Sequence, residues 1–439
     1  MKSKPHIAVI GAGAFGGWTA LHLLERGARV TLLDAWGPGN SRASSGGETR
    51  VMRGTYGPDQ PYTDMAARAL KLWAKYERRW KRQFLHCTGV LWMASGHDDA
   101  FESGSVKALR AAKIKFQELS AAQMKKRWPQ INFEGIEWGI FEPKCGYLDA
   151  RASCQAVVEA FKAAGGKYRQ AAVLADGLET GPLRSLALAD GSQLKEAAEK
   201  LTNAPPYRGR ACGSARGSAA LQGRVTRVKS ARASSPVVVA SSGDCVFPQP
   251  LKADAYVFAC GPWLGKLFPQ AIGDLVQATK QDIFFFGTPA GDDRFTSAHL
   301  PVWADHRGRF RYGIPGSDRR GFKIADDTRG PIFDPTDGER VVSQETLRDI
   351  REYVAFRFPA LKNAPLVETR VCQYEQTPDS HFIIDRHPTM ENVWLVGGGS
   401  GHGFKHGPAV GERMAELILK DREPDAIWRL SRFKSKTKP

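Results

Sequence analysis

The chain has 439 residues, 42% hydrophobic and 25% charged, the balance of a globular protein long enough for two or three domain cores. No apolar run reaches the roughly 18 residues of a membrane helix, and glycines break the first apolar run at once, so neither a membrane span nor a signal peptide is expected and the protein reads as cytoplasmic. The net charge of +17 comes without any nucleic-acid module, and the seven scattered cysteines are odd in number without a CxxC pair, which argues against specific nucleic-acid binding, a disulfide framework and a metal site.

In chain order, the first element is the short apolar strand "HIAVI". The turn "GAGAFGG" follows, then a helix, then the strand "ARVTLLD" ending in Asp34. Strand, glycine turn, helix, strand and acid make up a dinucleotide-binding unit. Gly11 permits the tight turn, Gly13 lets backbone approach a pyrophosphate, and Gly16 lets helix and strand pack closely. The pyrophosphate would sit on the helix N-terminus. Asp34 would accept from a ribose with a free 2′-hydroxyl, which points to NAD or FAD rather than NADP. No second such unit follows, against enzymes that hold a flavin and a nicotinamide in separate nucleotide folds.

The polar loop 41–57 carries Arg50 and Arg53 at spacing three. On a helical turn these share a face and can clamp a carboxylate, although a solvated charged turn has the same composition. A helix is expected from Tyr62 to Trp80 and a strand at "GVLWMAS" (89–95). Residues 196 to about 249, rich in Ala, Ser, Gly and Arg, read as a disordered or loosely ordered insertion at a surface turn, and deleting 196–251 should leave fold and activity intact. "AYVFACGPW" reads as a strand returning to the nucleotide sheet. "RFRYGIP", "GFKIAD" and "ETRVCQYEQTPDSHFIIDRHP" read as antiparallel strands and turns. "NVWLV" is a last strand running into "GGGSGHGFKHGP". Glycine that dense means either a flexible linker or a place where backbone must touch a ligand, and its position between a strand and a helix favours the second. Pro408 suits the first helical turn, and Val410, Met414, Leu417 and Ile418 form its apolar face.

Five stretches, "GAGAFG", "GGETRVMRGTYG", "RYGIPGSDRRGFKIADD", "CQYEQTPDSHFIIDRHP" and "GGGSGHGFKHGPAVGE", stand in an order that resembles monomeric sarcosine oxidase and its relatives, among them N-methyltryptophan, pipecolate and fructosyl-amine oxidases. The resemblance implies an α/β fold, α+β overall, in which a Rossmann-like FAD-binding domain (1–85, 146–268 and 378–425) interleaves with an antiparallel-sheet substrate domain (86–145 and 269–377), with an insertion at 196–250 and a basic tail at 426–439. It implies FAD attached through a thioether from Cys372 to the flavin 8α-methyl. Thr49 and Arg50 would lie against the flavin ring, and Gly399, Gly403 and Phe404 in the glycine-rich stretch beside it. Arg53 and Lys405 would grip the substrate carboxylate. Lys323 would activate dioxygen, and Tyr312, Tyr374, Gly401 and His402 would line the pocket.

The implied reaction is oxidation of a secondary-amine amino acid by hydride transfer to flavin N5. The imine then hydrolyses, and dioxygen reoxidises the flavin to give hydrogen peroxide. A monomer with a small amino acid and dioxygen as partners is expected. Alternatives are a dehydrogenase with another acceptor, a fructosyl-amino-acid oxidase and a non-catalytic flavin-binding protein. The chain departs from the sarcosine enzymes at "SSGGE", before Thr49, and at Asp326 and Asp327, where they carry a histidine; an acid there would suit a larger or more cationic substrate.

Overall fold

The computed structural model describes residues 4–96, 99–174, 181–189, 250–306, 308–316 and 320–436. The insertion expected at 196–250 therefore lies, but for its last residue, outside the described residues. So does the end of the basic tail.

The first strand, β1 (His6–Ile10), is apolar along its length because both of its faces are covered. It pairs in parallel with β2 (Arg29–Asp34) on one side and β12 (Ala255–Phe258) on the other. Beyond β2 lies β9 (Lys167–Gln170), and beyond β12 lies β19 (Val393–Gly397), both parallel. Antiparallel β18 (Ile383–Arg386) closes that edge. Strand order reverses between β1 and β12, and a crevice opens at such a point beyond the carboxyl ends of the strands. Helix α1 (Ala14–Glu25) follows β1, and the helix Gly407–Leu419 follows β19 after a short 3-10 turn. They pack backbone against backbone: a Cβ at Gly411 would stand 2.5 Å from the Trp18 carbonyl carbon. Both helices thus start at the same edge of the sheet, with Pro408 in the first turn of the second as expected.

The second sheet has eight strands, in the order β17 (Leu366–Gln376), β13 (Gln277–Phe286), β16 (Phe322–Asp326), β15 (Arg311–Ile314), β14 (Val302–Asp305), β5 (Val90–Ala94), β7 (Trp138–Glu142) and β6 (Gln117–Ser120). Every neighbouring pair is antiparallel except β14 with β5, which run parallel, so the sheet expected to be antiparallel is mixed at one seam. Its longest pair places Cys372 opposite Gln281 and Tyr374 opposite Thr279. Helix α2 (Gln60–Trp80) covers the span expected to be helical, with two more residues at its start.

Two small sheets complete the fold. β3 (Thr49–Met52) pairs with β8 (Gly146–Asp149), which also pairs with β4 (Leu85–His86). Arg50 therefore lies on a strand, opposite Leu148, and not on the helical turn that its spacing to Arg53 allowed. The ladder to β8 outweighs the i, i+3 reading; Arg53 sits just past the strand end. β10 (Ala172–Val173) and β11 (Leu188–Ala189) form a short hairpin. Next to it, Leu186 and Leu251 exchange both backbone hydrogen bonds, at 2.9 and 3.0 Å. The chain thus returns beside Leu186, and Leu251, the last residue of the deletion expected to be tolerated, belongs to the described fold.

Candidate active site

The crevice at the carboxyl edge of the first sheet encloses about 1290 Å³ of space, the open solvent at its mouth included. Gly11, Gly13, Asp34, Gly399, Gly403 and Phe404 all line it. Gly11 has φ +102°, and a Cβ there would stand 2.2 Å from the Ala259 carbonyl oxygen. Gly16 lies behind it, and a Cβ there would meet the Gly11 carbonyl oxygen at 1.9 Å. The turn after β1 is thus closed by glycine alone. Helix α1 begins at Gly13 with neither a capping side chain nor an acid in its first turn. The Ala14 N–H donates to Ser45 Oγ (3.1 Å), and the end of the helix faces the cavity otherwise uncapped, as an anion site needs.

Asp34 does more than wait for a ribose. Its Oδ2 accepts from Ala12 N (2.7 Å), and its Oδ1 from Trp36 N (2.9 Å) and Gly37 N (2.8 Å). These bonds tie the glycine turn to the end of β2. An ionised carboxylate has about four acceptor positions, so one remains for a hydroxyl. Burial raises the Asp34 pKa, and the three backbone donors oppose that rise.

An unforeseen acid lies on the same wall. Glu375, three residues past Cys372, is buried, and burial raises its pKa to about 7 against the pull of the Gly398 and Gly399 N–H groups. Its Oε2 has no partner. Long apolar walls, an uncapped helix start, an acid at the end of β2 and an unpaired buried carboxyl oxygen fit a flavin adenine dinucleotide, which brings a pyrophosphate, hydroxyls and a planar ring.

A second cavity, about 570 Å³, shares Arg50, Tyr374, Gly401 and Phe404 with the first. Gly401 (φ +79°) closes the seam, since a Cβ there would stand 2.6 Å from the Tyr374 ring. Its polar wall carries Arg53, Tyr312, Asp327, His402 and Lys405. The Arg53 guanidinium lies over Tyr56 (4.3 Å) and Trp92 (5.1 Å) and donates to the Thr55 carbonyl. The loop beneath it is fixed by buried Glu142, which accepts from Gly54 N (2.7 Å), Thr55 N (3.2 Å) and Thr55 Oγ1 (2.6 Å). Lys405 Nζ donates to Tyr56 Oη and to the His402 carbonyl, both at 2.8 Å. Burial, then the Arg53 charge, pushes the Lys405 pKa well down. His402 is held neutral: burial, then Lys405, lowers its pKa to about 3, and its Nε2 lies 2.9 Å from the Ser380 carbonyl. Tyr374 Oη donates to Asp327 Oδ1 at 2.6 Å.

Arg50 stands between the cavities and donates to the Thr49 carbonyl (2.8 Å), the Ser44 carbonyl (2.5 Å) and Cys372 Sγ (3.2 Å). Lys323 Nζ donates to both the carbonyl and Oγ1 of Thr49, at 3.1 Å each. Burial, then Arg50, lowers the Lys323 pKa to about 7. Thr49, Lys323 and Cys372 line neither cavity; they form a layer directly behind Arg50. The residues singled out in the sequence therefore gather at one place, though not all on its surface. Tyr56, Trp92, Glu142, Glu375 and His406 join them without having been singled out. Tyr56 and His406 sit three residues from Arg53 and four from His402, joined by a 2.7 Å contact between Tyr56 Oη and His406 Nε2. Both lie inside motifs already quoted, which was the one signal for them; Glu142 carried none.

A mainly parallel sheet whose glycine turn and open helix start face a long cavity, adjoining a polar pocket walled by a second sheet, is the build of a dinucleotide-dependent oxidoreductase. The chain belongs to the FAD dependent oxidoreductase family, whose model matches residues 6–211 and 210–417. It is 26% identical to monomeric sarcosine oxidase of Bacillus sp. (strain NS-129), with 98% of each chain covered, and 27% identical to human peroxisomal sarcosine oxidase, with 97% of this chain and 96% of the relative covered. The fold matches that of L-proline dehydrogenase from P. horikoshii with a TM-score of 0.74 at 19% identity, covering 99% of each chain. The resemblance drawn from the five motifs is thereby borne out over the full length. Among the described residues no helix is long and apolar enough to cross a membrane.

Proposed function

We propose that the protein uses FAD to oxidise an amino acid bearing a secondary amine, sarcosine-like, N-methylated or cyclic, with dioxygen as the final acceptor. The observation that carries this reading is the meeting of Arg53 and Lys405, from opposite ends of the chain, on the wall of a small pocket that adjoins the dinucleotide cavity. A half-buried guanidinium and a buried lysine side by side, held by aromatic rings and carbonyls, suit a carboxylate, whose charge would in turn favour protonated Lys405. The aliphatic and aromatic remainder of the wall, with Val90, Val302 and Phe310, suits a small apolar body.

When bound, FAD would take a hydride equivalent from the carbon next to nitrogen and pass the electrons to dioxygen, giving hydrogen peroxide. The protein's part is to hold and to exclude. Arg53 and Lys405 fix the carboxylate end. Tyr374, Gly401 and Phe404, common to both cavities, set how closely substrate and ring approach. Gly11, Gly13 and the start of α1 hold the pyrophosphate, Asp34 the ribose, and Gly399 and Gly403 let backbone lie against the ring. Lys323, behind Thr49 and Arg50, supplies positive charge where dioxygen is reduced. Cys372 supplies the sulfur for covalent attachment, next to the Arg50 guanidinium. We take the working unit to be a monomer and place it in the cytoplasm.

The carboxylate assignment is tested by Arg53→Met and Lys405→Met. A lost charge-assisted contact is worth about 1.5–3 kcal/mol, so each variant should raise the substrate dissociation constant by about ten- to a hundredfold. Esters of the same amines, which lack the carboxylate charge, should bind wild type and variants alike. An unchanged affinity for the acid in both variants would remove the assignment.

A further inference from the structure

An amino acid carries two charges, and Arg53 with Lys405 answers one of them. The other end is an ammonium, and a protonated nitrogen has no lone pair to support loss of hydride from its neighbouring carbon. A group in the pocket has to receive it. Among the described residues Asp327 is the one carboxylate on the wall of the second cavity.

Asp327 is placed rather than loose. Its backbone N–H is held by the Phe310 carbonyl (2.7 Å), and Tyr374 Oη donates to its Oδ1 (2.6 Å). The charged and titratable groups that face it are Tyr374 and Tyr312 from the second sheet, Asp326 beside it, Tyr56 and Arg53 from the segment after β3, and Lys405. Burial lifts its pKa to about 6, and the Tyr374 hydrogen bond, Arg53 and Lys405 hold it from rising further. It is thus a carboxylate at neutral pH and close enough to neutrality to take a proton.

The other candidates fail on geometry or charge. His402 is neutral, with its Nε2 directed at the Ser380 carbonyl and its Nδ1 at 3.4 Å from Tyr56 Oη. Tyr312 and Tyr374 are pushed upward by burial and stay protonated. Lys323 lies behind Thr49, off the wall. Lys405 Nζ is engaged by Tyr56 Oη and the His402 carbonyl.

We propose that Asp327 holds the ammonium of the bound amino acid and takes one of its protons, leaving the neutral amine. One N–H bond breaks, one O–H bond forms on Asp327, and the bonding pair stays on nitrogen; nothing is oxidised or reduced in that step. The proposal rests on the reading of this pocket as an amino-acid site.

Two unreactive ligands separate the claims. Glycine betaine carries a carboxylate and a fixed positive charge, and 3,3-dimethylbutanoate is its neutral isostere. By calorimetry on the flavin-loaded wild type, betaine should bind at least about tenfold more tightly, the size of one charge-assisted contact. Asp327→Asn, which keeps shape and an acceptor for Tyr374, should bring the two ligands within about twofold of each other. In the same variant, anaerobic flavin bleaching by the amine substrate should fall by about a hundredfold or more at pH 7 and recover as free amine accumulates at high pH. Equal binding of the two ligands by wild type, while amines still bleach the flavin, overturns the role of Asp327 and leaves the amino-acid reading standing. So does an Asp327→Asn protein with wild-type ligand preference and bleaching. If wild type binds neither ligand and no amine bleaches it, both readings fall. The wild-type comparison needs no variant and stands even if Asp327→Asn does not fold.

Discussion

Arg50 is one of four residues that line both cavities, and its guanidinium donates to the sulfur of Cys372 and to the carbonyl that also receives Lys323. A substitution in the layer behind it can therefore change flavin chemistry without touching substrate. Cys372→Ala should release all flavin into the supernatant on acid precipitation, where wild type keeps it in the pellet. Flavin freed from wild type under the same treatment would end the covalent assignment. Lys323→Met should slow reoxidation of the reduced flavin far more than its reduction, measured separately by stopped-flow; equal slowing of the two halves counts against the oxygen site. Burial holds the Lys323 pKa near 7, so its charge is complete below neutrality and lost as pH rises through that value. The reoxidation rate of wild type should fall over the same range, and the Lys323→Met rate should not.

Elements with a strong local pattern were legible from residues alone. β1, α1 and β2 announce themselves by an apolar run, a glycine turn and an acid, and the structure adds that Asp34 also ties the turn together. The strand β19, the glycine stretch and the following helix were equally plain, because a proline in the first turn and an apolar face follow dense glycine. The reading went astray where a partner strand distant in sequence decides the conformation. Arg50 and Arg53 have helical spacing, but Thr49–Met52 finds its hydrogen bonds on Gly146–Asp149, about a hundred residues on, and no local signal reports a ladder of that kind. Glu142 was invisible for the same reason. Its carboxylate acts on Gly54 and Thr55, far away in the chain, and it stands in a strand that looks ordinary by itself. Glu375 stood inside a recognised motif and was passed over because an acid in a strand carries no pattern of its own.

At the scale of the whole molecule, the two sheets trade the chain back and forth, so that the site is assembled from segments as far apart as Gly11 and Lys405. Such a site depends on every crossing among the described residues being kept, but not on a segment whose flanking residues already meet. Leu186 and Leu251 hold those ends together, so replacing residues 190–249 with a short glycine-serine link should leave flavin content and the melting temperature close to wild type, whereas a cut that removes Leu251 should lower both. Insoluble or flavin-free protein from the first deletion would show that the segment belongs to the core. The most direct test of the account is an anaerobic bleaching screen of the purified flavoprotein with sarcosine, N-methyl amino acids, pipecolate, proline and fructosyl amino acids. The account predicts that a secondary amine carrying a carboxylate bleaches the flavin absorbance, that the matching ester does so far more slowly, and that air restores the colour with release of hydrogen peroxide. A flavin that none of these amines bleaches would contradict it.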